Sequence, residues 1–174
     1  FAAVDHYAFS RAITKAARLA RTLLLHAEDP GFIAAASMAA KERAVREGRP
    51  AGWDDYCDSR PEAAELIAVA SALALAREHA ASLHVVHVGT SEAAHLIGSG
   101  MDGIASGASC ETCPHYLEFS RDDFAVKGSS LKTAPPVKAE GQAERLWKQL
   151  DDGTIAFGWD DGRCTTRWKR EDRF

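Results

Sequence analysis

The chain has 174 residues, 21 basic and 25 acidic, with a formal net charge of −4 at pH 7. That near-balance supplies no polycationic surface, so nucleic acid is not expected as a partner. Glu65 and Ser71 interrupt the alanine-rich stretch from Ala63 to Ala76, so no apolar run reaches spanning length and no membrane is expected either. The length suits one domain with a real core, taken here as residues 1–174.

In chain order, Asp5 is placed to cap a first helix, with Phe9, Ile13, Ala16, Ala17 and Ala20 at helical spacing behind it. Asp5, Arg11, Lys15 and Arg18 run through this stretch, so no signal peptide is expected in it. There is no initiator Met, as expected of a piece of something longer. Thr22–Ala27 is a short apolar run, too brief for a helix, and reads as a buried strand. Pro30-Gly31 punctuates before a second helix from about Phe32 to Glu47, and Arg49–Asp58 reads as loop. Ser59 fits an N-cap with Glu62 as its capping-box partner, opening a helix to about His79.

Leu83–Val88 is the second strand, and Ser91–Ile97 a short helix. A glycine-studded passage then leads to a third strand, Ala108–Thr112, ended by Pro114. Arg121–Val126 forms one helical turn, and Leu131–Val137 is extended around Pro135-Pro136. Glu140–Leu150 is an amphipathic helix with Ala143, Leu146, Trp147 and Leu150 inward, and Thr154–Trp159 is a fourth strand. The alternation of strand and helix predicts a right-handed parallel α/β arrangement. Strands in this number would make about half of an eight-stranded barrel.

Both early strands deliver a histidine near their C-terminal ends, His26 and His87. In parallel α/β folds that end is where active sites are built. A lone histidine in an apolar run is ordinarily a buried, hydrogen-bonded imidazole. Two at equivalent positions in successive strand–loop units also suit a shared metal site, and spacing alone leaves both readings open. His84 stands an odd separation from His87, so it is expected on the other face in a structural role. Cys110 and Cys113 have the Cys-x-x-Cys spacing of zinc or redox sites. Cys57 and Cys164 offer no second pair, Pro114 follows at once, and structural thiols are expected in a reduced, cytoplasmic protein. His115 stands at a strand mouth, where it either touches substrate or holds a loop. Asp160 and Asp161 follow the last strand, where a carboxylate is either solvated or a metal ligand or general base.

Several motifs then fall in register. They are His26-Ala-Glu-Asp29, Asp58-Ser-Arg-Pro-Glu62, His87-Val-Gly-Thr-Ser-Glu92, Cys110-Glu-Thr-Cys-Pro-His-Tyr-Leu117, Lys132-Thr-Ala-Pro-Pro-Val137 and Asp152-Gly-Thr-Ile155. In this order they resemble the cyclic amidohydrolases: dihydroorotase, allantoinase, and hydantoinase or dihydropyrimidinase. The resemblance runs from about Phe9 to Phe157, leaving 159–174 as a diverged tail. It implies part of a (β/α)8 barrel, about strands five to eight, with zinc or a similar divalent metal in a binuclear centre. It makes His26 the metal ligand of the fifth strand and His87 that of the sixth. An aspartate after the eighth strand would bind metal and shuttle the proton, while a metal-activated hydroxide opens the amide ring. Backbone near Ala134 would hold the amide edge of the substrate, a small cyclic amide, and a homo-oligomer is expected of the full-length protein.

The chain departs from the pattern at both ends. The family's first-strand His-x-His and its carboxylated fourth-strand lysine are absent from this chain, which opens on what resembles the helix after that strand. The family's closing Ser-Asp-His-x-Pro or Thr-Asp-His-Cys is replaced by Gly158-Trp-Asp-Asp-Gly-Arg-Cys164, which puts Asp161 in the aspartate's place, Gly162 in the histidine's, and Trp159 where small residues are usual. Cys-Pro-His-Tyr-Leu and Asp-Ser-Arg-Pro lean toward allantoinase-like members. The expected function is hydrolysis of a ring C–N bond of the allantoin, dihydroorotate or hydantoin type, with little activity from the isolated chain. The alternative is a non-catalytic relative kept as an assembly scaffold.

Overall fold

The structure is a computed structural model and describes residues 3–99 and 107–157. Helix α1, His6–Arg18, starts where Asp5 Oδ1 accepts the Ala8 amide at 2.7 Å, and it buries Phe9, Ile13 and Ala16. Strand β1, Leu23–His26, leads into α2, Pro30–Arg46. That helix begins two residues before the hydrophobic periodicity indicates, because Asp29 caps it by accepting the Phe32 amide at 2.7 Å. Pro30 at its first position is compatible with the helix, having no amide proton to leave unpaired.

The stretch expected to be loop contains a further helix, α3, Trp53–Asp58. It is held by Asp55, which accepts the Gly52 amide at 2.8 Å and is bridged by Arg43 and Arg49. One of those cations, Arg43, comes from α2 outside the segment, so local spacing did not announce the helix. Its presence also displaces the expected capping box. Ser59 closes α3, donating to the Tyr56 carbonyl at 2.6 Å. Helix α4, Glu62–Glu78, starts after Pro61, and Glu62 instead accepts from Gln142 Nε2 at 3.1 Å.

Strand β2 is Leu83–Val86, α5 Ser91–Ser99 and β3 Ala108–Thr112. Two short helices follow, α6 Pro114–Glu118 and α7 Arg121–Lys127, then a 3-10 turn over Gly128–Leu131. Helix α8, Gln142–Asp151, packs on α5 and α6 and leads to β4, Ala156–Phe157. Its Leu146 is buried as expected, but Trp147 is 51% exposed and its indole N–H donates to the Leu117 carbonyl at 3.1 Å. An indole needs a partner for its N–H, and the carbonyl at the end of α6 draws it to the rim.

All strand pairs are parallel, and the sheet order β1-β2-β3-β4 follows the chain order. A doubly wound sheet reverses direction partway across, whereas a barrel wall adds each strand beside the last. The four strands are therefore consistent with an arc of a barrel. Leu83, Val85, Ala108 and Cys110 are buried beneath the helices, together with Val69, Leu73, Ile97 and Phe124. The alternate face carries Leu24, His84 and Ser109, which the register sets side by side. Leu24 is 66% exposed there, a large apolar side chain on a sheet face that no described helix covers. His84 is bound across the sheet, with Nδ1 at 2.8 Å from Ser109 Oγ and Nε2 at 3.3 Å from Glu111. His87 lies past the end of β2 with φ 44°, and there strand alternation no longer decides direction.

Candidate active site

His26 is the last residue of β1, and His87 follows β2 by one residue. The turn at His87 is clamped from several sides. Glu65, buried in α4, accepts the Gly89 amide at 2.8 Å and the Thr90 hydroxyl at 2.7 Å. Val88 donates its amide to the Glu111 carbonyl at 2.8 Å and accepts from the Thr112 hydroxyl at 2.7 Å. Left-handed backbone is unfavourable for a residue with a Cβ, and these bonds are what hold His87 in it. Burial raises the Glu65 pKa, opposed by the Lys138 charge and the bonds from Gly89 and Thr90.

The clamp brings the two histidines together. His26 Nδ1 and His87 Nε2 are 3.0 Å apart, with the rings edge to face at 71° and 4.7 Å between centroids. The other nitrogen of His26, Nε2, lies 3.0 Å from Glu28 Oε2. Glu28 has a side chain only 2% exposed and is bridged on the same oxygen by Arg60 Nη1. Burial pushes the Glu28 pKa up, but the His26 hydrogen bond and the Arg60 charge outweigh it and hold it below the usual carboxylate value. Arg60 is itself anchored, its guanidinium 5.8 Å from the Tyr56 ring centroid and its carbonyl accepting Lys138 Nζ at 3.0 Å.

The other expected site residues flank this pair. His115 lies in the first turn of α6, beyond the end of β3, its ring 4.1 Å from that of Tyr116. Ala134 precedes a cis peptide to Pro135 in the segment after the 3-10 turn. Tyr56 donates to the Thr133 carbonyl at 2.5 Å and Tyr116 to the Pro135 carbonyl at 2.7 Å, so two phenols fix the backbone on either side of Ala134. Asp160 and Asp161 lie outside the described residues. Cys110 and Cys113 are both buried, and burial pushes the Cys110 thiol up to about 12, which suits a structural thiol and not a redox one.

The residues missed at the level of spacing are Glu28, Arg60, Glu65 and Lys138. Glu28 and Arg60 stood inside the motifs quoted above, but nothing in a linear pattern says that the two loops meet. Glu65 and Lys138 look like ordinary surface charges on helix and loop.

The pair fits part of a metal site. Two nitrogen ligands on a tetrahedral zinc-type ion are separated by roughly 3.3 Å, given bonds of about 2.0–2.1 Å, and His26 Nδ1 and His87 Nε2 stand 3.0 Å apart. Among the described residues, no group of three or more His, Cys, Asp or Glu is arranged to hold a metal ion. The described part of the chain thus offers two donors and not a complete set.

No family model matches the chain. Curated relatives do. The chain is 36% identical over 157 residues to an allantoinase from Rubrobacter xylanophilus, covering 90% of this chain and 33% of that protein. It is 42% identical over 119 residues to an allantoinase from Bacillus velezensis, covering 67% of this chain and 26% of that one. Among solved structures, the L-hydantoinase (dihydropyrimidinase) from Arthrobacter aurescens superposes with a TM-score of 0.84 at 29% identity, over 92% of this chain and 34% of that chain. A D-hydantoinase gives 0.78 at 27% identity over 90% and 34%. The chain spans about a third of the length of the curated relatives it matches. Sequence and fold thus agree that the chain belongs with the cyclic amidohydrolases, as a segment about a third as long as its relatives.

Proposed function

We propose that this chain supplies about strands five to eight of a (β/α)8 barrel that hydrolyses the C–N bond of a small cyclic amide, of the allantoin, dihydroorotate or hydantoin type. The observation that carries the reading is the meeting of His26 Nδ1 and His87 Nε2 at 3.0 Å, on the C-terminal side of adjacent parallel strands. The allantoinase relatives favour allantoin among these rings.

In this reading His26 and His87 hold a zinc-type divalent ion, with Asp161 as a further ligand. When bound, the ion lowers the pKa of a water and polarises the ring carbonyl. The chain's own residues do the remaining work. Glu65 holds the turn that presents His87, and Glu28 holds His26. Asp161 takes the proton released by the water and delivers it to the leaving ring nitrogen. Backbone at Ala134, fixed by Tyr56 and Tyr116, takes the amide edge of the ring, and His115 borders it. The full-length parent is expected to be a cytoplasmic homo-oligomer. No helix among the described residues is long and apolar enough to cross a membrane.

The 174-residue chain with added zinc should open allantoin, dihydroorotate or hydantoin rings no faster than zinc in buffer, because its ligand set is incomplete. Robust zinc-dependent ring opening by this chain alone would contradict that. The scaffold reading is favoured by one feature, the Trp159–Gly162 departure from the family pattern. It requires that loss of His26 or His87 leave metal binding unchanged.

A further inference from the structure

The two loops that meet beside His26 carry a charge pair, Glu28 and Arg60, that does more than hold His26 in place. Glu28 Oε2 receives both the Arg60 guanidinium and His26 Nε2. The position of Arg60 does not depend on His26. Its guanidinium lies over the Tyr56 ring, its carbonyl accepts Lys138 Nζ, and Tyr56 is tied to the Thr133 carbonyl. The carboxylate oxygen is therefore held in place by a contact that does not involve the histidines.

Donor and acceptor logic then determines where the protons sit. A guanidinium only donates, and the carboxylate paired with it only accepts. The bond at 3.0 Å to Glu28 must carry its proton on His26 Nε2. In a neutral imidazole that leaves the lone pair on Nδ1, the atom facing His87 Nε2 at 3.0 Å. His87 Nε2 is then the donor of that contact in the metal-free chain. The order of donation is His87 to His26 to Glu28, ending on a carboxylate neutralised by Arg60.

We infer that Glu28, fixed by Arg60, is the positioning residue that selects the Nε2–H tautomer of His26 and so aims the Nδ1 lone pair at the strand mouth. The inference rests on the reading of His26 as a metal ligand for its purpose, though not for its test. A carboxylate behind a ligating imidazole fixes the ring and raises its basicity, and losing one typically weakens metal binding 10–100-fold. A purely structural Glu28–Arg60 pair would tie the two loops together without any consequence for the tautomer.

The test uses long-range 1H–15N correlation spectra of the histidine side chains in the metal-free chain at about pH 8, with zinc affinity from chelator competition as a second readout. The wild type is expected to show His26 mainly as the Nε2–H form; a dominant Nδ1–H form overturns the inference without any variant. Glu28→Gln and Arg60→Met are expected to reduce the Nε2–H population and to weaken zinc binding about 10–100-fold, with amide dispersion like the wild type. Variants that keep the wild-type tautomer and bind zinc within about twofold of wild type would overturn it. Should both variants unfold, the wild-type spectrum still decides. If His26→Ala and His87→Ala leave zinc affinity unchanged, the ligand assignment fails, while the metal-free tautomer continues to judge Glu28.

Discussion

Glu65 is the residue on which the geometry of His87 depends most visibly. Its two carboxylate oxygens are spent on the Gly89 amide and the Thr90 hydroxyl, both buried beside the left-handed turn. Glu65→Ala would leave both donors without that acceptor, and unmade buried hydrogen bonds cost about 1–3 kcal/mol each. The variant is expected to lose roughly 2–4 kcal/mol in urea unfolding, and Glu65→Gln, which keeps one acceptor oxygen, distinctly less. An Ala variant as stable as wild type would mean that the turn holds itself. The histidines themselves were legible from the sequence because they fall at the ends of two matched apolar runs. Glu65 was not, since only the folded chain shows that a helical carboxylate turns inward to a loop some two dozen positions away.

At the scale of elements, α3 is the feature that spacing did not announce. It depends on Asp55, fully buried and bridged by Arg43 from α2 and by Arg49. Hydrogen bonds from Arg49, working against burial and joined by the Gly52 amide and Arg43, hold its carboxyl far below the ordinary value. A carboxyl with a depressed folded pKa contributes stability that is present above its unfolded pKa of about 4 and is lost as pH falls toward its folded pKa. Stability should therefore fall from about pH 5 downward, and Asp55→Asn should flatten that slope while lowering stability at pH 7. Glu65 has the opposite sign, its folded pKa being raised by burial, so it opposes folding as pH rises above the ordinary carboxylate range. An unchanged acid slope in Asp55→Asn would assign the acid sensitivity elsewhere, for instance to Glu28. The strands and long helices were readable because their periodicity is local. The start of α4 was misplaced by the same logic, since Ser59 is a good cap in isolation and is used instead to close a helix that depends on Arg43 from α2 as well as on Arg49.

At the scale of the molecule, the sheet has one face under helices and one face bare. Leu24, His84 and Ser109 line the bare face, and His84 is engaged there with Glu111 across the strands. A barrel puts this face inside, against strands that the described residues do not include. The histidine pair lies on the C-terminal side of β1 and β2, at one edge of the arc, and among the described residues no group of three or more His, Cys, Asp or Glu is arranged to hold a metal ion. Sequence order alone indicated an arc, because successive strand–helix units without a reversal signal stack side by side. The depth of the site was not readable, because it depends on Glu28, Arg60 and Lys138 arriving from three separate loops.

The most direct test of the central claim, that His26 and His87 are two ligands of one metal, is a zinc titration of the 174-residue chain beside three single variants. His26→Ala and His87→Ala should each weaken zinc binding by at least about tenfold, since each removes one of a small ligand set. His84→Ala, which removes an imidazole engaged with Ser109 and Glu111 further down the bare face, should bind zinc as the wild type does. Equal affinity in all four proteins would contradict the claim and leave the histidine pair a hydrogen bond between strands.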